Sequence, residues 1–232
     1  MNGSLSRRRL LALGVQSVTA SFLLAACSSR APGSSDDPAA LVSDADMTLN
    51  NFLRDPEMTW FRDNLPSARG VLIVPTFLRA GFIFGGAGGN GTLLVRDNPG
   101  DWSYPAFYTV TSGSVGLQAG AEVAEVILMI RSQRGADAML SNSFKVGADV
   151  SVAVGPVGTG AQVQTSDILA FSRSRGLYGG VNLDGSVISP RDAWNSTYYG
   201  QQVRPADILV SRSVSNEQAN SLRNRLSGNF IS

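Results

Sequence analysis

Apolar and polar positions divide the chain into a leader, a polar link, a helical start, a β-rich middle and a helical end. Leu10 to Ala26 is a mostly apolar run directly behind Arg7, Arg8 and Arg9. Gln16, Ser17, Thr19 and Ser21 interrupt it, and it falls short of the roughly 20 predominantly apolar residues that a spanning helix needs. Residues 28–38 are small, polar and Pro/Gly-bearing, the composition of a flexible tether. Leu41, Ala45, Leu49 and Phe52 then recur at spacings of four, four and three, one stripe of an amphipathic helix over Ala39 to Phe52. Asp55-Pro56 reads as an N-cap with proline at the first helical position, opening a short second helix through Trp60 and Phe61.

The period changes at Gly70. Val71 to Val74 is a continuous apolar run, the pattern of a buried strand. Gly81 to Phe84 and Thr92 to Val95 flank a glycine-rich stretch, which predicts a hairpin with Asn90-Gly91 at its turn. Phe107 to Thr111, Glu122 to Ile130, Ala148 to Val154 and Ile168 to Ser172 read as further strands, and Gly179, Val181 and Leu183 continue the pattern. Ala136 to Ser143 reads as a short helix. Ser215, with Gln218 three residues on and then Ala219, Leu222 and Leu226, predicts a terminal helix. Glycines within strands mark bends, bulges or close backbone approach. The expected fold is therefore α+β and β-rich: a curved antiparallel sheet or partial barrel with helices at the N- and C-terminal ends of one domain, residues 39–232.

The leader has a chemical end point. Leu24-Ala25-Ala26-Cys27 places the chain's single cysteine directly after small residues, behind a basic and then an apolar segment. This is the layout of a secretory signal with a bacterial lipoprotein cleavage site. Residues 1–26 would be removed and Cys27 lipidated on sulfur, leaving the domain tethered to a membrane. Ser6 to Leu11 fits a twin-arginine export motif as well as an ordinary positive n-region. Ser28 stands where an aspartate would favour the inner membrane, so the expected location is the bacterial envelope, on the outer membrane facing the periplasm.

Charge and composition narrow the chemistry. Removing residues 1–26 takes three arginines and no acids, leaving 16 basic and 18 acidic residues and a net charge of −2. That gives no electrostatic footprint for nucleic acid. The chain contains no histidine. This excludes Ser-His-Asp and Cys-His catalysis and every histidine-bearing metal site. No cofactor is expected. About 205 residues remain in the mature chain, enough for a sizeable core.

The local motifs carry little catalytic information. Gly86 to Gly91 matches G-x-G-x-x-G, but a β-prone Thr92 to Val95 follows where a dinucleotide site needs a helix. Glu122 and Glu125, three apart in a strand, face opposite sides and cannot act as an acid–base pair. Asp44 and Asp46 lack the remaining oxygens of a calcium loop and read as helix surface. Trp60, Phe61 and Phe77 fit core packing better than a membrane-interface belt. Arg79, Arg96, Arg131, Arg134, Lys145, Arg173 and Arg175 are the basic residues of the sheet region and the lipid-headgroup candidates. Several fall at strand ends, where they either converge on one rim or scatter as surface charge. Arginine suits bidentate contact with phosphate.

Six ordered segments resemble the SYLF domain family. They are Ala68 to Pro75 with Arg79 to Phe82 and the glycines of 85–91; Asp101 to Tyr108; Gly113 to Gly120; Gly155 to Gly158; Ser172 to Gly180; and Asn195 to Gly200. The likeness spans roughly residues 40–230. It implies lipid binding: eukaryotic members bind phosphoinositides and some bind actin, while bacterial members are commonly small exported lipoproteins. The single lysine, Lys145, means that lysine-rich lipid contacts do not carry over by residue type. The resemblance therefore implies binding of anionic or amphiphilic lipid in general, with no catalytic centre. The expected role is a membrane-anchored, non-enzymatic lipid-binding lipoprotein whose partners are membrane lipid, through the Cys27 acyl anchor, and anionic lipid. The sequence names no protein partner. The alternative is a structural or interaction module of the envelope that binds a protein or the cell wall.

Overall fold

The computed structural model describes residues 36–81, 84–98, 100–115, 120–155, 166–174, 177–178 and 183–228. The leader, Cys27, most of the tether and Arg175 lie outside the described residues, as do Val181 and the greater part of the Gly155 to Gly158 turn.

The first helix, α1 (Pro38–Arg54), starts where Asp37 caps it, accepting from Ala39 N at 2.9 Å, with proline at its first position. Leu41, Val42, Ala45, Thr48, Leu49 and Phe52 are its buried face, which contains the predicted stripe and packs on the sheet. Asp55 caps a 3₁₀ turn (Pro56–Met58) that leads into α2 (Thr59–Asn64) and a second 3₁₀ turn (Leu65–Ser67).

The strands are β1 (Gly70–Gly81), β2 (Phe84–Asn98), β3 (Asp101–Trp102), β4 (Ala106–Val115), β5 (Gly120–Ile130), β6 (Phe144–Lys145), β7 (Val152–Gly155), β8 (Ile168–Ser174), β9 (Leu177–Tyr178) and β10 (Val187–Pro190). Their order is β6-β10-β4-β2-β1-β5-β8-β7, with β3 on β2 and β9 on β8; among these described strands only β7 and β8 pair in parallel. The sheet curls into a half-barrel with helices at both ends of the chain, as the sequence predicts. Helix α3 (Gln133–Ala138) interrupts the strands, and α4 (Asp192–Tyr199), α5 (Pro205–Leu209) and α6 (Asn220–Leu226) follow them.

Both faces of the sheet are covered. Val71, Ile73, Ile127 and Met129 join the helices α1, α2, α4 and α6 in one core. Leu72, Val74, Val126, Leu128 and Ile130 point the other way, into a second core with Met139, Phe144, Ile188, Ile208 and Leu209. Burial on both faces is why these strands read as unbroken apolar runs.

Several local expectations change. The glycine-rich stretch is not a turn: Gly85 to Gly91 lie inside β2, and β1 and β2 are joined between Gly81 and Phe84. The reason is a bulge in β1. Its register against both β2 and β5 slips by one residue around Pro75-Thr76, where proline lacks a donor for the ladder. The bulge swings toward β2. A Cβ on Gly89 would lie 2.3 Å from Thr76 O, and one on Gly91 would lie 2.7 Å from Ile73 O. Glycine is there because the neighbouring backbone occupies the side-chain space. The short helix begins three residues earlier than expected, at Gln133, because the Ser132 hydroxyl caps it through Gly135 N at 3.0 Å. Residues 147–149 form a turn with Gly147 at φ 87°, so β7 starts only at Val152. Asn216, not Ser215, caps the terminal segment.

Candidate functional site

The C-terminal turn of α1, α2, the turn after it, β2 and α6 meet around a cleft of about 430 Å³. Leu53 comes from α1, Leu65 and Pro66 from the 3₁₀ turn, and Leu226 from α6. Gly100, Ser227 and Gly228 form the rim. Ser227 Oγ donates to Gly100 O at 2.9 Å, which fixes the end of α6 against the β2–β3 turn. Leu65 and Leu226 are almost fully buried, so the floor is apolar.

Three guanidinium groups line the same cleft. Arg62 Nη1 donates to Leu53 O at 3.3 Å and to Asp55 O, and its Nη2 donates to Thr59 Oγ1 at 2.9 Å. It therefore satisfies carbonyls at the end of α1, where the helix dipole favours a cation. Arg96 Nε donates to Ala68 O at 2.6 Å, Nη2 donates to Pro66 O, and the group lies 5.3 Å from the Trp102 ring centroid. Burial lowers the pKa of Arg96, which still remains charged. Arg225 is different: its Nε and Nη2 grip the Asp46 carboxylate at 2.6 and 3.2 Å, and Nη1 donates to Asn50 Oδ1 at 3.0 Å. Arg225 is thus neutralised within the fold. Arg62 and Arg96 are oriented mainly by neutral carbonyl oxygens, which hold their geometry without cancelling their charge. No acidic side chain lines the cleft among the described residues.

Of the basic residues singled out from sequence, Arg96 is the one described residue that reaches this cleft. Arg79 lies 4.0 Å from Glu122 near the opposite end of the strands. Arg173 is bound to Glu125 at 3.2 Å and to Asp55 at 3.7 Å. Arg134 Nη2 donates to Asp149 O at 2.6 Å, Arg131 follows β5, and Lys145 is exposed on β6. The register puts Arg96 and Arg131 at the Gly70 end of the sheet and Arg79 at the other, so these residues do not share one rim. Arg62 and Arg225, which also line the cleft, are not among the sequence candidates. The available signal was that each basic residue lies within a few positions of a leucine facing the core: Leu65 for Arg62, Leu222 and Leu226 for Arg225.

The remaining candidates take structural roles. Glu122 and Glu125 face opposite sides as expected. Glu125 is not a solvated edge residue, however: it accepts from Thr48 at 3.3 Å and Asn51 at 3.0 Å, tying β5 to α1. Phe61 and Phe77 are core, and Trp60 stacks on Phe171 at 5.8 Å. Among the described residues no group of three or more acids, cysteines or histidines is placed to hold a metal. Nor, among them, is any helix long and apolar enough to cross a membrane.

The described chain is thus a half-barrel sheet clamped between terminal helices, with an apolar cleft edged by guanidinium groups. The chain belongs to the Ysc84 family, whose model, described as "Las17-binding protein actin regulator", matches residues 111–228. This is the SYLF-domain family that the six segments resemble. The chain is 33% identical over 161 residues to LAS seventeen-binding protein 3 of Saccharomyces cerevisiae, covering 65% of this chain and 34% of that protein. It is 29% identical over 164 residues to human SH3 domain-containing YSC84-like protein 1, covering 68% of this chain and 48% of that protein. It thus spans a third to a half of the curated relatives it matches.

Proposed function

We propose that this protein is a non-catalytic lipid-binding module held at a bacterial membrane surface by an acylated Cys27. The observation that carries the reading is the cleft: an apolar floor from Leu53, Leu65 and Leu226 beside the uncompensated charges of Arg62 and Arg96. That pairing suits an amphiphile with an anionic head. A chain without histidine lacks the commonest general base, which supports a binding reading over a hydrolytic one. Each buried acyl methylene contributes about 0.8 kcal/mol, and stable anchoring needs more than one chain, so a multiply acylated Cys27 would hold the domain at the surface. The envelope location, on the outer membrane facing the periplasm, rests on the leader and on Ser28.

Two measurements test this. Mass spectrometry of the protein extracted from membranes reports the modification on Cys27; a bare thiol there removes the anchor. Flotation of the mature chain, residues 27–232 carrying Cys27→Ser, with phosphatidylcholine vesicles with and without phosphatidylglycerol, reports binding by the domain itself. Recruitment that rises with anionic lipid supports the reading, and no recruitment to either vesicle defeats it.

A second reading, a protein-interaction module, is favoured by the relatives' names, which describe Las17 binding. In-cell crosslinking that recovers one protein partner, with no lipid effect in flotation, would select it.

A further inference from the structure

We propose that the cleft takes the single tail of a monoacyl amphiphile bearing an anionic oxygen head, such as a long-chain carboxylate or phosphate monoester. The proposal rests on the lipid-binding reading and narrows it from a surface to a site. The tail lies between Leu53, Leu65 and Leu226, and the head meets Arg62 and Arg96.

Size sets the number of tails. A cleft of about 430 Å³ lies near the lower end of small-molecule pockets, roughly 300–1,000 Å³. That volume suits one extended chain and not the pair of chains of a bilayer phospholipid. A domain that captures one chain takes its ligand as a monomer, or lifts a single-tailed lipid out of the bilayer.

Charge sets the head. Arg225 already faces Asp46, so it adds shape more than net charge. Arg62 and Arg96 donate to carbonyls and, for Arg62, to the Thr59 hydroxyl. The bonded nitrogens leave Nε of Arg62 and Nη1 of Arg96 as donors outside these bonds. Both cations are half-buried, where a charge–charge contact is screened less than at an open surface. An oxyanion accepting from both would complete the compensation that the fold itself supplies only to Arg225. The carbonyl bonds pre-orient both groups, so little side-chain freedom is lost on binding.

The head and tail contributions separate in one experiment. Dodecyl phosphate is titrated below its micelle concentration into the mature chain, residues 27–232 carrying Cys27→Ser, followed by calorimetry and by tryptophan fluorescence, which Trp102 beside Arg96 should report. Neutral monododecanoylglycerol and inorganic phosphate serve as tail-only and head-only probes. The expected result is saturable one-to-one binding of dodecyl phosphate, roughly tenfold weaker binding of the neutral lipid, and none of phosphate alone. R62Q and R96Q should each weaken dodecyl phosphate by roughly five- to tenfold while leaving the neutral lipid unchanged. Because R96Q also removes carbonyl contacts, L53W provides a second variant: it fills the cleft and should abolish binding of both lipids with the thermal transition retained. Equal affinity for charged and neutral tails, or full binding by a folded L53W, overturns the assignment. If vesicles recruit the protein but no monomer binds, the cleft is excluded and the surface reading stands. If monomers bind but vesicles do not recruit, the cleft stands and the surface reading falls.

Discussion

Arg225 on α6 holds Asp46 on α1 with two hydrogen bonds, Nε to Oδ1 at 2.6 Å and Nη2 to Oδ2 at 3.2 Å. Ser221 Oγ donates to the same carboxylate at 2.9 Å. The pair joins the first and last helices of the described chain, and its Arg225 lines the cleft. The sequence marks Asp46 only as helix surface, whereas its side chain is mostly buried against its partner.

Asp46→Asn should therefore destabilise the fold by about 1–2 kcal/mol, between an exposed ion pair and a buried charge-assisted one. Urea unfolding measures it. A double-mutant cycle with Arg225→Gln should show coupling of at least about 0.5 kcal/mol. Simple additivity would mean that the two helices are held by packing alone.

Glycine positions in β2 and β4 should respond oppositely to alanine. Gly89→Ala drives a Cβ into Thr76 O and the Val74 side chain, where backbone must move. The expected loss is about 3 kcal/mol or more. Gly113 has open space where its Cβ would stand, so Gly113→Ala should stay within about 0.5 kcal/mol of the parent. Thermal unfolding of the two variants checks the contrast; equal effects would contradict the close approach of the β1 bulge.

Asp167 ties three segments together. It accepts from Ser132 Oγ at 2.5 Å and from Ser151 N and Oγ at 3.0 and 2.8 Å. Burial alone would raise its pKa, but these bonds and the charge of Arg134 outweigh it and lower the pKa below the usual carboxylate value of 3.8. A lowered folded pKa means stability that is present above the unfolded value and lost as pH falls through the folded one. Asp167→Asn should thus be less stable than the parent at pH 7. The gap should narrow only below about pH 4. Unfolding followed from pH 7 to pH 2.5 tests this, and a gap constant over that range would contradict it.

Asn195 is fully buried and accepts from Phe107 N at 2.8 Å. Asn195→Leu keeps the number of side-chain heavy atoms but orphans that donor. It should cost about 1–3 kcal/mol and loosen the contact between α4 and β4. Denaturation gives the magnitude, and faster hydrogen exchange at the Phe107 amide gives the location.

What could be read along the chain was whatever burial repeats locally. Val71 to Val74 and Val126 to Ile130 stand out because side chains on both faces are covered, and α1 because one stripe faces the sheet. The bulge at Pro75-Thr76 could not be read, so Asn90-Gly91 took on the look of a turn when it is a strand passing under a neighbour. Helix α4 went unread except as part of a family likeness. Its buried face is Trp194, Asn195 and Tyr198, and the polar member masks the helical spacing.

Composition and periodicity alone established a β-rich domain with helical ends and no histidine chemistry. These properties depend on neighbours in the chain or on residue types being absent. The cleft depended on the fold. Arg62, Arg96 and Arg225 lie far apart in sequence, and each is aimed by a different element: the end of α1, the turn before β1, and Asp46. Only folding decides which cation meets a carboxylate and which meets a carbonyl, and that difference leaves charge at the apolar floor.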